Sequence, residues 1–209
     1  MVPEMLAGLF ACLLIIVLIA ADWYHFTSLT EAASRYGCGI ARTEERLPTT
    51  PVGLAWHHFD RNGLLPLRHG VARLFQDQWR IVLRPQYQLF SMRFRTAWPM
   101  KATIELEPDG AATRVKCLKR VPWSSAVLTM AWFALVGLGT LGFIIAFALN
   151  GGFASFSGIL MGLGIIGIGL LVLAFGLVIV AVAYRLEDGR LTEAYRELLG
   201  TISAPTTSG

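Results

Sequence analysis

Residues 121–184 read VPWSSAVLTMAWFALVGLGTLGFIIAFALNGGFASFSGILMGLGIIGIGLLVLAFGLVIVAVAY, 64 positions without an Asp, Glu, Lys, Arg or His. A helix needs about 20 predominantly apolar residues to cross the bilayer core, so the run is long enough for two spans and a turn. The second span is expected over about 125–149 and the third from Phe153 or Ser157 to Tyr184. Asn150-Gly151-Gly152 supplies the positive-φ positions of a tight connection. The third window exceeds the hydrocarbon thickness and implies tilt or overhang.

The chain as a whole has 209 residues, 55% hydrophobic and only 15% charged, against about 25% charged in soluble domains. A soluble globular protein is thereby excluded. A second apolar block runs from Met5 to Ala21. A cleaved signal peptide needs a positively charged start, and the only charge before this block is Glu4, so a retained span is the expected reading. Leu9-Phe10-Ala11-Cys12 is a poor lipidation site, because Phe10 is bulky and few residues precede it.

Between the apolar blocks, residues 23–120 hold 15 Lys and Arg against 8 Asp and Glu, a net +7, whereas residues 185–209 hold 3 against 4. Lys and Arg flanking a span stay cytoplasmic. The consistent topology for a multi-pass inner-membrane protein is N-terminus outside, basic segment inside, hairpin out and back, C-terminus inside. The fold class is α+β: three transmembrane helices plus a small antiparallel β-meander or barrel-like cytoplasmic domain. The expected divisions are a first span over 1–22, a connector over 23–51, the β domain over 52–121, the hairpin over 122–184, and an amphipathic helix with a disordered tail over 185–209.

Within the connector, Trp23-Tyr24-His25-Phe26 forms an aromatic belt, Ser28 to Tyr36 a short surface helix, Tyr36-Gly-Cys-Gly39 a turn, and Leu47-Pro-Thr-Thr-Pro51 a linker. Six strands follow: Leu54–Phe59, Leu65–Phe75, Trp79–Leu83, Tyr87–Phe94, Lys101–Glu107 and Ala112–Leu118. Asn62-Gly63 closes the first hairpin, and Pro108-Asp109-Gly110 turns between the last two strands. Period-two alternation sets Thr113, Val115 and Cys117 on one face and Arg114 and Lys116 on the other, so Cys117 is expected to be buried.

The same alternation puts Arg80 with Arg84 and Arg93 with Arg95. Together with Arg114, Lys116, Lys119 and Arg120 they form the candidate surface for anionic lipid headgroups or a partner. Attraction to headgroups is worth about 1 kcal/mol per residue near the membrane; the other reading is a solvated face that carries only the orientation signal. No motif for nucleic acid accompanies the charge.

Gly162-Leu-Gly164-Ile-Ile-Gly167-Ile-Gly169 contains a dinucleotide-binding string, which works only between a strand and a helix. Inside an apolar span its meaning is close helix approach. Gly158 with Gly162, and Gly142 with Ala146, are the candidate packing pairs, within the hairpin or in a homo-oligomer. No ionisable group lies within a span, which argues against an ion or proton path. His57 and His58, as neighbours on a strand, would point to opposite faces, and no Cys or acidic cluster has ligand spacing with them or His69. No catalytic residue, cofactor or metal is expected. In the tail, Leu191, Tyr195, Leu198 and Leu199 share one helical face, between Asp188 as N-cap and Gly200 as C-cap residue.

Phe94-Arg95-Thr96-Ala97-Trp98-Pro99, Ala102-Thr-Ile-Glu-Leu-Glu-Pro-Asp-Gly110, Thr113-Arg-Val115, Pro122-Trp123 and Tyr184-Arg-Leu-Glu187 occur in an order that resembles small uncharacterised bacterial membrane proteins. In those a short β domain leads directly into a two-helix hairpin. The domain also looks loosely pleckstrin-homology-like. The resemblance covers about two thirds of the chain and implies no catalytic residues. The expected function is that of a non-enzymatic integral membrane protein whose basic β domain binds a partner protein or the anionic leaflet; the alternative is an accessory or scaffold subunit of a larger complex.

Overall fold

The computed structural model describes residues 2–54, 56–86 and 96–203. The expected strand Tyr87–Phe94, the candidate residues Arg93 and Arg95, and the tail beyond Ser203 lie outside the described residues. Two compact units are present, one of residues 1–124 with 186–209 and one of residues 125–185.

The first unit is built on a six-stranded antiparallel sheet. Its strands are β1 (Cys38–Leu47), β2 (Leu64–Pro66), β3 (Gly70–Phe75), β4 (Arg80–Pro85), β5 (Lys101–Asp109) and β6 (Ala112–Val121), in the order β1-β6-β5-β4-β3-β2. From β2 to β6 the described strands run as an antiparallel meander, with β4 paired directly to β5. The described pairings run in line from β1 to β2 and do not close into a barrel.

Three expectations about the strands are corrected. Leu54–Phe59 contains a 3-10 turn at Trp56–His58 in place of a strand. Residues 65–75 make two strands, β2 and β3, paired as a hairpin. The connector contains a full strand, β1, which pairs with β6 from Cys38 to Leu47, so the sheet begins well before Val52. Around Asn62-Gly63, the Asp60 side chain accepts from Asn62 N (2.8 Å) and Leu64 N (2.7 Å). That side chain-to-backbone turn leads into β2 and joins no strand before it.

Helix α1 (Val2–Thr27) continues through the aromatic belt, five residues past its expected end. A four-residue helix, α2 (Glu31–Ser34), follows, capped by Thr30. It is not a surface helix, since Ala33 and Ser34 are buried. Gly37 sits at φ +108, where a Cβ would strike the Phe26 ring and the Val121 carbonyl, both at 2.7 Å, so only glycine allows this crossing into β1.

The sheet has a cover on each face. Ala72, Ile81, Leu83, Ala102, Ile104, Leu106, Val115 and Cys117 form the apolar face, as the β6 alternation predicts. It is covered by the C-terminal part of α4 (Phe156–Ser203), through Leu191, Ala194, Tyr195, Leu198 and Ile202. Lys119 pairs with Asp188 there. Glu197 accepts from Arg68 N (2.6 Å), His69 N (3.0 Å) and, at 2.9 Å, faces His69 Nδ1. Asp188 and Gly200 are therefore interior residues of one long helix, not caps. Gly189, the only strong breaker at that join, costs about 1 kcal/mol in a helix interior, less than the burial of the face behind it.

The second unit contains most of α3 (Trp123–Leu149) and the apolar part of α4. Asn150 and Gly151 lie in the connection, and Gly151 takes φ +73. Helices over 5–27, 123–149 and 156–203 are long and apolar enough to cross a membrane.

Candidate functional site

The basic face of the sheet is shaped by what lies on it. Register places Arg80 and Val82 of β4 beside Glu105 and Thr103 of β5, with Arg84 two positions past Val82 on the same face, and Glu105, Thr103 and Lys101 beside Lys116, Leu118 and Arg120 of β6. This face receives the end of α1 and all of α2. The last carbonyls of a helix lack intrahelical donors and carry the negative end of its dipole, and cations on the sheet satisfy them. Lys101 Nζ donates to Phe26 O (3.1 Å) and Ala33 O (2.5 Å). Arg84 Nη1 donates to Thr27 O (2.6 Å), Arg73 Nη1 to Leu29 O (2.7 Å) and Arg120 Nη1 to Gly37 O (2.9 Å). Arg80 Nη1 reaches Ser34 Oγ at 3.1 Å, and Thr103 Oγ1 donates to Ser34 O at 2.6 Å. Charge-assisted bonds of this kind are roughly twice as strong as neutral ones, so the cradle holds the chain where it leaves α1.

Lys101 is the most enclosed of these cations, 1% exposed, with its ammonium 4.4 Å from the centre of the Phe26 ring. Burial, and then the neighbouring Arg120, pushes its pKa down to about 8. Glu105, on the same face, is kept charged: burial alone would raise its pKa, but Arg35 and Arg80 hold its carboxyl below the usual range.

The candidate cations therefore have different surroundings. Arg80 and Arg84 do share a face, but both are turned against the α1–α2 segment and not to solvent. Arg114 is exposed, 3.4 Å from Asp109. Lys116 pairs with Glu107. Lys119 lies on the opposite face with Asp188, so the six described candidate cations make no single surface. Lys101 and Arg73 are cradle residues that the charge pattern did not single out. The signal was available for Lys101, which shares the period-two face of Thr103 and Glu105.

Between β1, β6 and β5 the basic face opens into a cavity of about 200 Å³ lined by Arg42, Thr103, Glu105, Lys116, Leu118 and Arg120. Arg35 Nη2 and Arg80 Nε approach the Glu105 carboxylate at its edge, at 2.9 and 3.4 Å.

The three candidate histidines fall in two places. His57 and His58 share a turn with ring centres 4.1 Å apart, so the strand argument that separates them fails, while His69 is tied to Glu197. Among the described residues no group of three or more His, Cys, Asp or Glu could hold a metal ion. Cys117 is 2% exposed and its thiol is pushed up to about 11 by burial.

Of the packing candidates, Gly158 and Gly162 are crowded by the connection itself. A Cβ would meet Gly152 O at 1.8 Å in the first and the Phe153 ring at 2.3 Å in the second. Gly142 has open space beside it. The close approaches between α3 and α4 are at Gly169, against Thr140, and Gly176, against Trp132. Gly169 ends the glycine run read as a close-approach stretch, though it is in neither candidate pair, and Gly176 lies outside that run.

No family model, curated protein or solved structure matches the chain.

Proposed function

We propose that this is a multi-pass protein of a bacterial inner membrane, with its N-terminus outside and its sheet and C-terminus in the cytoplasm. It acts by binding and not by catalysis, its sheet unit engaging the anionic leaflet. The observation that carries this reading is that one unit gathers the ends of all three apolar helices. Asp22, near the end of α1, accepts from Ser124 N (2.9 Å) and Ser124 Oγ (2.5 Å) at the start of α3, and the end of α4 lies on the sheet. A chain that crosses three times with one domain on one side needs this convergence, and the excess of Lys and Arg in that unit favours the cytoplasmic side. The exposed rim of Arg35, Arg42, Arg46 and Arg114 supports attraction to anionic headgroups. A binding role is supported by how the reactive side chains are used: the cradle cations are engaged with carbonyls, His69 with Glu197, and Cys117 is buried.

Orientation is tested by labelling. Cys38 is half-exposed, Cys117 is buried and Cys12 lies within the first span. An impermeant maleimide should modify Cys38 in inverted vesicles and not in intact cells; labelling from outside intact cells overturns the topology. In nanodiscs, the thermal transition of the full chain should rise when anionic lipid replaces neutral lipid, and the rise should shrink with salt. Equal transitions would leave the basic rim as an orientation signal alone.

A further inference from the structure

Three cationic side chains surround Leu118. Arg42 of β1 lies directly across the ladder from it, and Lys116 and Arg120 are its neighbours two positions either way along β6, on the same face. Strand geometry places the first about 4.8 Å away and the others about 7 Å away at the backbone, so three long side chains can converge on one point. The cavity they line, about 200 Å³, is smaller than the ~300–1,000 Å³ that encloses a drug-sized ligand, which suits a compact anionic group.

Charge around the cavity is unbalanced. Arg35 and Arg80 share the single carboxylate of Glu105, Glu44 takes Arg42 at 2.6 Å, and Glu107 takes Lys116. Arg120 has Gly39 and Lys101 across the ladder, with no carboxylate opposite it. One Nη of Arg120 is used on Gly37 O, while its buried Nε has no hydrogen-bond partner among the described residues. Five cations thus face three carboxylates, an excess of two. Guanidinium forks match phosphate oxygens in pairs, and an ammonium adds a compact third donor.

We propose that the cleft bounded by Arg42, Lys116 and Arg120 binds a phosphate monoester group as its dianion. The proposal deepens the membrane-surface reading, on which only a lipid source of that phosphate rests; a soluble phosphate ester has the same recognition chemistry.

The test uses the full chain. In neutral detergent, calorimetric titration with inorganic phosphate at fixed ionic strength should show saturable binding that a chloride control lacks. Arg42→Ala and Lys116→Ala, which act at the rim and should keep the wild-type thermal transition, should each weaken it at least tenfold. Glu105→Gln should tighten it, because Arg35 and Arg80 lose their carboxylate. A second arm titrates the protein in phosphatidylcholine nanodiscs with and without phosphatidic acid. A lower apparent phosphate affinity with phosphatidic acid identifies a lipid headgroup as the source, and an unchanged affinity identifies a soluble ester; both support the cleft. No saturable binding in either arm, or equal binding by wild type and all three variants, overturns it. Phosphate binding with Cys38 labelled from outside would reject the topology and keep the cleft; the opposite pair of results would reject the cleft alone.

Discussion

Lys101 shows how little a charged letter says about its surroundings. In the sequence it is the first residue of an alternating strand, and a lysine is ordinarily exposed. In the fold it is enclosed between Phe26 and Ala33 and serves two carbonyls. Its low pKa has a consequence of definite sign. The unfolded chain keeps this proton to about 10.5, while the folded chain releases it near 8. Between those values the unfolded state binds more protons, so stability from this group rises with pH. Thermal unfolding of the wild type and Lys101→Met in detergent should therefore show the wild type gaining on the variant from pH 8 to 10.5. A constant difference across that window would contradict the assignment. Arg80 and Arg84 were legible as a same-face pair for the same period-two reason, but the period does not say whether a face meets water or a helix end.

At the scale of elements, legibility followed alternation and turn chemistry. β5 and β6 were readable because Thr113, Val115 and Cys117 alternate with Arg114 and Lys116, and because Gly110 takes φ +65 after Pro108-Asp109. β1 was not readable. Its sequence, CGIARTEERL, has no buried position along its length, so it carries no apolar period. It is an edge strand held by its ladder to β6, and charges on such a strand discourage pairing with other chains. The end of α4 was read correctly as an apolar stripe at Leu191, Tyr195 and Leu198, and wrongly as a separate helix. Leu198 is fully buried on the sheet. Leu198→Ala should lower stability by about 2–5 kcal/mol, whereas exposed Arg196→Ala should change it by less than about 0.5 kcal/mol. Denaturant titration followed by tryptophan fluorescence would check both.

For the whole molecule, the informative result is which segments form one unit. The residue span 52–121 reads as a self-contained domain because the turns and strands are dense there. Yet β1, the α1–α2 cover and the α4 cover all come from outside it. Expressed alone, residues 52–121 should lack a cooperative thermal transition and should aggregate, because the apolar face has lost Leu191, Ala194, Leu198 and Ile202. A monomeric, cooperatively melting fragment would refute this. Long-range assembly of this kind leaves no local trace: the donor–acceptor pairs from Lys101 to Phe26 and from Ser124 to Asp22 are 75 and 102 positions apart.

The cover on the apolar face also sets an order of events during synthesis. All six strands have been made once Val121 is added, but the residues that shield them lie between Asp188 and Ile202. At about 5–20 residues per second, the ribosome needs roughly 3–16 seconds to cover that distance, and both apolar helices of the hairpin are made in the meantime. For that interval Ile81, Leu83, Ile104 and Val115 have no cover. The nascent chain is then most dependent on chaperones, and a pause or truncation between residues 121 and 188 should be more damaging than one before the sheet is made.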